Sequence, residues 1–326
     1  MRRLLGLHGG FLATVALFSV SLAAGAQPAW PDRPVKIVVA AAAGGGTDGV
    51  ARILAGELTK VLGQSVVVEN RPGAATMLGA EVVARSPGDG YTFLATFGAH
   101  AVNRVLREKR PYNDADLTGV SVMGRYPMVM VAAKSLPRTV GAMLDYARAN
   151  SGALTFASGG DGTLSHLAAE LLMLSSGAKL THVPYKGGNT ALPDLIAGRV
   201  GITFDTISTL GPQVKADKLN AIAITGAQRS PLMPEVPTFA ESGHPMVTAY
   251  AWTAMLTQSK TPPAIVERMS AEIARLLKRP DMIETLGGGI YGMELIGGTP
   301  AQANQFLEAE EKLWGDLIRK ANIRTQ

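Results

Sequence analysis

The stretch VKIVVAAAAGGGTDG, residues 35–49, runs from a β-branched apolar segment into small residues and then into Gly44, Gly46 and Gly49. A short apolar run that breaks at glycines and passes into a helical pattern marks a strand, a loop and a helix in succession. The helix is written in Val50, Ile53, Leu54, Leu58, Val61 and Leu62, with Thr47 or Asp48 placed to cap its start. SVVVEN (65–70) and YTFLAT (91–96) repeat the strand pattern. Strand alternating with helix implies a mostly parallel sheet with right-handed crossovers.

The same grammar restarts after Pro127. LTFAS (154–158), LTHVPY (180–185) and VGITFD (200–205) read as strands, separated by helical stretches at 164–176 and 189–197. From Thr261 the alternation stops. Thr261-Pro262 opens a helix, and Thr299 with Gln302 forms a capping box for another, with Pro300 at its first position. The buried stripe of that last helix is expected to be Ala303, Phe306, Leu307, Leu313, Trp314 and Leu317, covering the first unit. The expected domains are therefore 27–124 with 248–326, and 125–247, joined by crossing strands near 124–130 and 246–256. Trp252 falls in the second crossing, where interlobe packing is expected of it.

Residues 1–26, MRRLLGLHGGFLATVALFSVSLAAGA, open on Arg2 and Arg3, carry an apolar stretch and end on small residues. This is the pattern of a secretory signal peptide, its apolar core being shorter than the ~20 residues of a spanning helix. The mature chain is expected in the periplasm. Losing Arg2 and Arg3 lowers Lys plus Arg from 31 to 29 against 26 acidic residues, so the net charge falls from +5 to +3. So mild an excess, without a basic cluster interleaved with aromatics, suits a small anion and argues against nucleic acid. The chain has no cysteine, which excludes disulfides, thiolate catalysis and cysteine-ligated metals.

Gly44, Gly46 and Gly49 have the spacing of a dinucleotide-binding turn, and Glu69 follows twenty residues after Gly49. Two features weigh against a nucleotide: Glu69 leads straight into NRPGA, which reads as a cleft-lining loop, and no Lys-Ser or Lys-Thr follows the glycines. Asp48 would also repel polyphosphate. The second unit holds a counterpart loop in FASGGDGTLSHLAAELL, residues 156–172, where Ser158, Gly159, Gly160 and Gly162 allow close backbone approach and Thr163 is placed to cap the helix. Both loops end at helix N-termini, where unpaired N–H groups and the helix dipole favour an anion. Both lie beyond the carboxyl ends of strands, where open sheets bind ligands. Two such loops facing one another would clamp an anionic ligand.

No metal or catalytic set is legible. His100, His166, His182 and His244 lack H-x-x-x-H or H-E-x-x-H spacing, and His166 reads as structural. Ser158 and Ser165 lack the G-x-S-x-G elbow, and no nucleophile has an assigned base. The chain is thus read as needing no cofactor. Tyr185 and Lys186 of PYKGG are expected to shape the cleft wall or hinge.

Many segments in order resemble one family: WPDRPVKIVV (30–39), GGGTD (44–48), GQSVVVENRPGA (63–74), GDGYT (88–92), SGGDGTLSHLAAEL (158–171), HVPYKGG (182–188), LIAGRVGITFD (195–205), LNAIAITGAQRSPLMPEVPTFAESG (219–243) and TPP (261–263). The chain resembles the Bug or TctC-type extracytoplasmic solute-binding proteins of tripartite tricarboxylate transporters. The resemblance implies an α/β, two-lobed periplasmic-binding-protein fold of type II kind, with the ligand cleft between the lobes. It also implies capture of a small carboxylate without catalysis, and delivery by a monomer to membrane transporter components or a sensor protein. The family's carboxylate loops fall on Ala41–Asp48 and Ser158–Thr163, giving Ala41, Ala42, Gly44, Thr47, Asp48, Ser158, Gly160 and Thr163 as expected ligand residues. Asp205 aligns with the family's strand-end Asp, and contact with ligand or water stands there beside a capped or salt-bridged carboxylate. The family's first loop often carries an aromatic residue and a proline, where this chain has Ala40–Ala43. The rival reading is a secreted, hydrolase-like enzyme using the same cleft. The ligand is left open among dicarboxylates, tricarboxylates, aromatic acids and amino acids.

Overall fold

The computed structural model describes residues 30–185, 187–289, 291–320 and 323, so the expected signal peptide and Lys186 lie outside the described residues. The chain opens with β1 (Val35–Val39), α1 (Gly46–Leu62), β2 (Val66–Asn70), α2 (Met77–Ala84), β3 (Thr92–Phe97) and α3 (Ala99–Leu106). A single long strand, β4 (Leu117–Ala133), follows. Then come α4 (Val140–Ala149), β5 (Thr155–Ser158), α5 (Leu164–Ser176), β6 (Thr181–Pro184), α6 (Gly188–Ile196), β7 (Ile202–Thr206), α7 (Ile207–Lys215) and β8 (Leu219–Ile224). The chain closes with β9 (Tyr250–Gln258), α8 (Pro263–Leu276), the short α9 (Pro280–Met282), β10 (Glu294–Gly297) and α10 (Pro300–Lys320).

The two apolar-run patterns fold as expected from their periods. In β1 every residue but Lys36 is fully buried, as fits a strand covered on both faces. In α1 the stripe Val50, Leu54, Leu58 and Leu62 faces inward, and each such burial contributes roughly 1.5–3 kcal/mol. The helix stops at Gly63, whose φ of 70° lets its N–H reach Thr59 O.

Two sheets share β4. The first runs β2-β1-β3-β9-β4, with β10 also on β4; the second runs β4-β7-β5-β6, with β8 on the other side of β4. β1 lies parallel to β2 and β3, and β5 parallel to β6 and β7. The sheets are nonetheless mixed: β9 runs antiparallel to β3 and β4, and β4 runs antiparallel to β7, β8 and β10. The switch between sheets falls at one point of β4. Pro127 faces Tyr250 in the first sheet, and Met128 faces Thr206 in the second. The return crossing lies alongside it, where Ala249 N donates to Thr225 O and Thr225 N to Met128 O.

The C-terminal helices do cover the first sheet, with α10 packed on α3 and β4. Two expectations change. Leu313 is 54% exposed, and Gly315 and Ile318 complete the buried stripe instead. Trp252 is not between the lobes: it is fully buried under α10, edge-on to Phe306, with its Nε1 donating to Glu310 Oε2 at 2.7 Å. Among the described residues no helix is long and apolar enough to cross a membrane.

Candidate functional site

The carboxyl ends of β1, β5 and β7 converge on a cavity of about 590 Å³ between the two sheets, a size suited to a small organic ligand. Ala41, Ala42 and Thr47 line it from the first loop, Gly160 and Thr163 from the second, and Asp205 from the end of β7. Gly44, Asp48 and Ser158, expected at the site with them, do not line it. Their geometry explains why.

Asp48 is 3% exposed and turns back into its own loop. Its Oδ2 accepts from Gly44 N at 2.9 Å and from Arg52 Nε at 3.0 Å, and its Oδ1 accepts from Asn70 Nδ2 at 2.8 Å. Asn70 Nδ2 also donates to Ala41 O. Burial pushes the carboxyl up, but the donors from Arg52, Gly44 and Asn70 outweigh it and hold the pKa below the ordinary value. Neither Thr47 nor Asp48 caps α1: the cap position is Gly45, without a side-chain bond. The first N–H groups of α1 thus have no side-chain cap, and Gly45, Gly46 and Thr47 line the cavity at this helix start.

The second loop is knit in a similar way. Ser158 is 1% exposed, and its Oγ pairs with His182 Nε2 at 2.6 Å and accepts from Gly160 N at 3.1 Å. Thr163 holds the cap position of α5 without bonding its backbone N–H groups; its Oγ1 donates to Gly160 O at 2.7 Å and pairs with Ser165 Oγ at 3.0 Å. Gly160 has a φ of 120°, which a side chain would strain, so its backbone alone demands glycine. Behind the loop, the rings of His166 and His182 stack with centroids 4.2 Å apart. Burial, and next the neighbouring His166, push His182 down to about 4, so it is neutral near pH 7.

Ser158 therefore has a histidine partner that sequence spacing missed, because His182 lies on the adjacent strand β6. Asp161 Oδ1 stands 3.6 Å from His182 Nδ1, beyond hydrogen-bond range. Asp161, His166 and His182 also bring three potential metal ligands within 4.8 Å of one another. The arrangement suits bracing better than coordination. His166 Nδ1 accepts from Gly162 N and His182 Nε2 is engaged by Ser158, while the stacked imidazoles, only 11° from parallel, hold their lone pairs in two nearly parallel planes and not in one.

A third wall comes from the NRPGA loop, read from the sequence as lining the cleft though not counted among the ligand residues. Pro72, Gly73, Ala74 and Ala75 line the cavity, and the chain stays at positive φ from Gly73 (127°) through Ala74 (45°) and Ala75 (49°) to Thr76 (81°). Three consecutive non-glycine residues in this region cost roughly 1–3 kcal/mol each, and such strain persists where surrounding contacts impose it. Asn103, 1% exposed, supplies one by donating its Nδ2 to Ala75 O. Tyr185 lines the cavity as well, its hydroxyl donating to Asp194 at 2.7 Å.

Asp205 accepts from Thr206 N at 2.7 Å, and no cation of the described residues pairs with it. Burial pushes its carboxyl up to about 6. Because the folded pKa is raised, the fold favours the protonated acid: stability is full below about pH 4 and falls as pH rises through 6. The shift corresponds to a cost of about 1–3 kcal/mol at pH 8, reduced by water in the cleft. Asp205→Asn is expected to be more stable than the parent by that amount at pH 8 and equal at pH 4. Urea unfolding at the two pH values checks this, and an equal difference at both would contradict it.

Two α/β lobes joined at one strand, with strand-end loops facing a ligand-sized cleft, define a solute-binding protein. The profile of the tripartite tricarboxylate transporter family receptor matches residues 50–323, and the chain belongs to that family. Protein BugT of Bordetella pertussis is 33% identical over 99% of both chains. The Rhodopseudomonas palustris protein Rpa4515, solved with adipate, superposes with a TM-score of 0.86 at 35% identity, over 90% of this chain and 99% of that one. MatC from the same organism, solved with malate, gives a TM-score of 0.81 at 30% identity, over 89% of this chain and 100% of that one.

Proposed function

We propose that the cleft captures a small carboxylate and presents it, without turnover, to a tripartite tricarboxylate-type transporter or a signalling partner. The observation that carries this reading is the convergence of two knit loops, each ending at a helix start, on one cavity. Helix N-termini supply N–H donors and a positive dipole end, which replace the water around a carboxylate. In this proposal Ala41, Ala42, Thr47, Gly160 and Thr163 receive the carboxylate, Gly44, Asp48 and Ser158 hold its loops in shape, and Asp205 meets the ligand directly or through water. Adipate and malate, bound by relatives of this chain, are both dicarboxylates. Residues 27–124 with 248–326 and residues 125–247 would act as two jaws closing about Pro127. The export pattern of residues 1–26 supports a periplasmic location.

A thermal-shift screen over dicarboxylates, tricarboxylates, aromatic acids and acidic amino acids tests the reading. A ligand at a hundred times its Kd is expected to add about 2.7 kcal/mol of stability. A shift with a nicotinamide nucleotide and with no acid would overturn it, and conversion of a bound acid to product would favour the enzymatic rival.

A further inference from the structure

Three arginines fall three residues apart in sequence across the end of α3, Arg104 in its last turn, Arg107 at its extended C-cap and Arg110 in the loop beyond, and two of them are neutralised. Arg104 pairs with Asp114 at 3.4 Å and Glu311 at 3.2 Å, and Arg110 pairs with Asp114 at 2.6 Å. Arg107, between them, has no carboxylate partner among the described residues and lines the cavity. It is the only basic residue that does so among the described residues; Asp161 and Asp205 are the acidic ones.

Arg107 is also held in place. Its backbone N–H donates to Asn103 O at 3.1 Å, and its Nε donates to Asn103 Oδ1 at 3.2 Å. Asn103 in turn is fixed through its Nδ2 to Ala75 O in the positive-φ loop. Both Nη groups remain without a protein acceptor among the described residues. The position joins the lobes: Leu106, next in the chain, packs so closely on Gly162 of the second loop that a Cβ there would lie 2.7 Å from Leu106 Cδ2. A fixed guanidinium with free donors, in a cavity whose other charged lining residues among the described ones are acidic, is suited to the planar geometry of a carboxylate.

We propose that Arg107 anchors the second carboxylate of a dicarboxylate whose first carboxylate rests on the two glycine loops, so that Arg107 selects two-ended acids over one-ended ones. The inference rests on the carboxylate reading of the cleft and adds its substrate class. Neutral backbone donors suit the near carboxylate of either kind of acid. The far carboxylate needs a charge of its own, since Asp205 and Asp161 would otherwise repel it.

Titration calorimetry of succinate, glutarate and adipate, each against the monoacid of equal length (butyrate, pentanoate, hexanoate), tests it on the parent, Arg107→Gln and Arg107→Lys. The parent is expected to prefer the best diacid over its monoacid. Arg107→Gln is expected to weaken that diacid about tenfold to a hundredfold and leave the monoacid within twofold, abolishing the preference. Arg107→Lys keeps the charge but not the fork and is expected to fall between. An intact preference in Arg107→Gln overturns the anchor while leaving the carboxylate cleft standing. Equal losses for both acids overturn it too, since they report a general field. If no acid binds the parent, the underlying reading falls and takes the anchor with it. Unchanged circular dichroism and Tm of the variants confirm that binding, and not folding, is being read.

Discussion

Asp48→Ala is expected to weaken carboxylate capture by about a hundredfold or more, although Asp48 touches no ligand in the proposed arrangement. Its carboxylate sets the first loop by accepting from Gly44 N and from Asn70, and Asn70 also holds Ala41 O. Without it, the backbone that would face the carboxylate loses its fixed shape, and ligand must order the loop as it binds. The stability cost is expected to be about 2–4 kcal/mol, because the two donors are left without an acceptor. The Arg52 pair adds little, its guanidinium being 52% exposed. Since the folded pKa of Asp48 is lowered, this stability is present above the ordinary carboxylate range and lost as pH falls through the folded pKa. Calorimetry and urea unfolding at pH 7 and pH 3 check both parts. Undiminished affinity in the alanine variant would remove Asp48 from the loop's support.

Trp252→Ala carries the largest expected loss of stability, about 3–5 kcal/mol, for a fully buried indole. Two effects combine. The ring fills the space between β9 and α10, and its Nε1 is one of two indole donors on Glu310, the other being Trp314 Nε1 at 2.9 Å. Burial pushes Glu310 up despite both donors and the nearby Arg125. Trp252→Phe separates the effects, keeping most of the packing and removing the donor. Its cost is expected to grow between pH 4 and pH 8, as Glu310 loses its proton through its raised pKa. An equal cost at both would show that packing alone matters. Chemical denaturation of the two variants at the two pH values measures this.

Strands at β1, β2, β3, β5, β6 and β7, and the two glycine loops between strand and helix, were legible because periodicity and glycine placement are local properties. The antiparallel insertion of β9 between β3 and β4 was not, since its hydrogen bonds join residues far apart in the chain. The site divides along the same line. Thr47, Gly160, Thr163 and Asp205 sit at the cavity where their loops and strand end place them. Asp48 was expected at the ligand because the family's first carboxylate loop ends on it; its partner Asn70 on β2 is reached only across the sheet. Ser158 looked isolated because His182 is reached across the sheet. Arg107 escaped notice because its meaning lies in the absence of a partner, which only the pairing of Arg104 and Arg110 reveals.

The place of β9 in the first sheet also governs how the chain can be assembled. Thr257 Oγ1 donates to Thr92 O across 165 residues, and Leu94 and Ala95 wait on Leu256 and Met255 for their neighbours. Until that segment exists, β3 and β4 have no strand between them, and one whole lobe is threaded through the loop that must close. Closing so long a loop precedes any reward from the contacts it makes, and non-local pairings of this kind slow folding. The second lobe, whose strands β5 to β8 are contiguous in sequence, is therefore the natural first unit to form. The first lobe's sheet then closes around Tyr250–Gln258 as the last major event, and a chain truncated before β9 is left with two exposed strand edges.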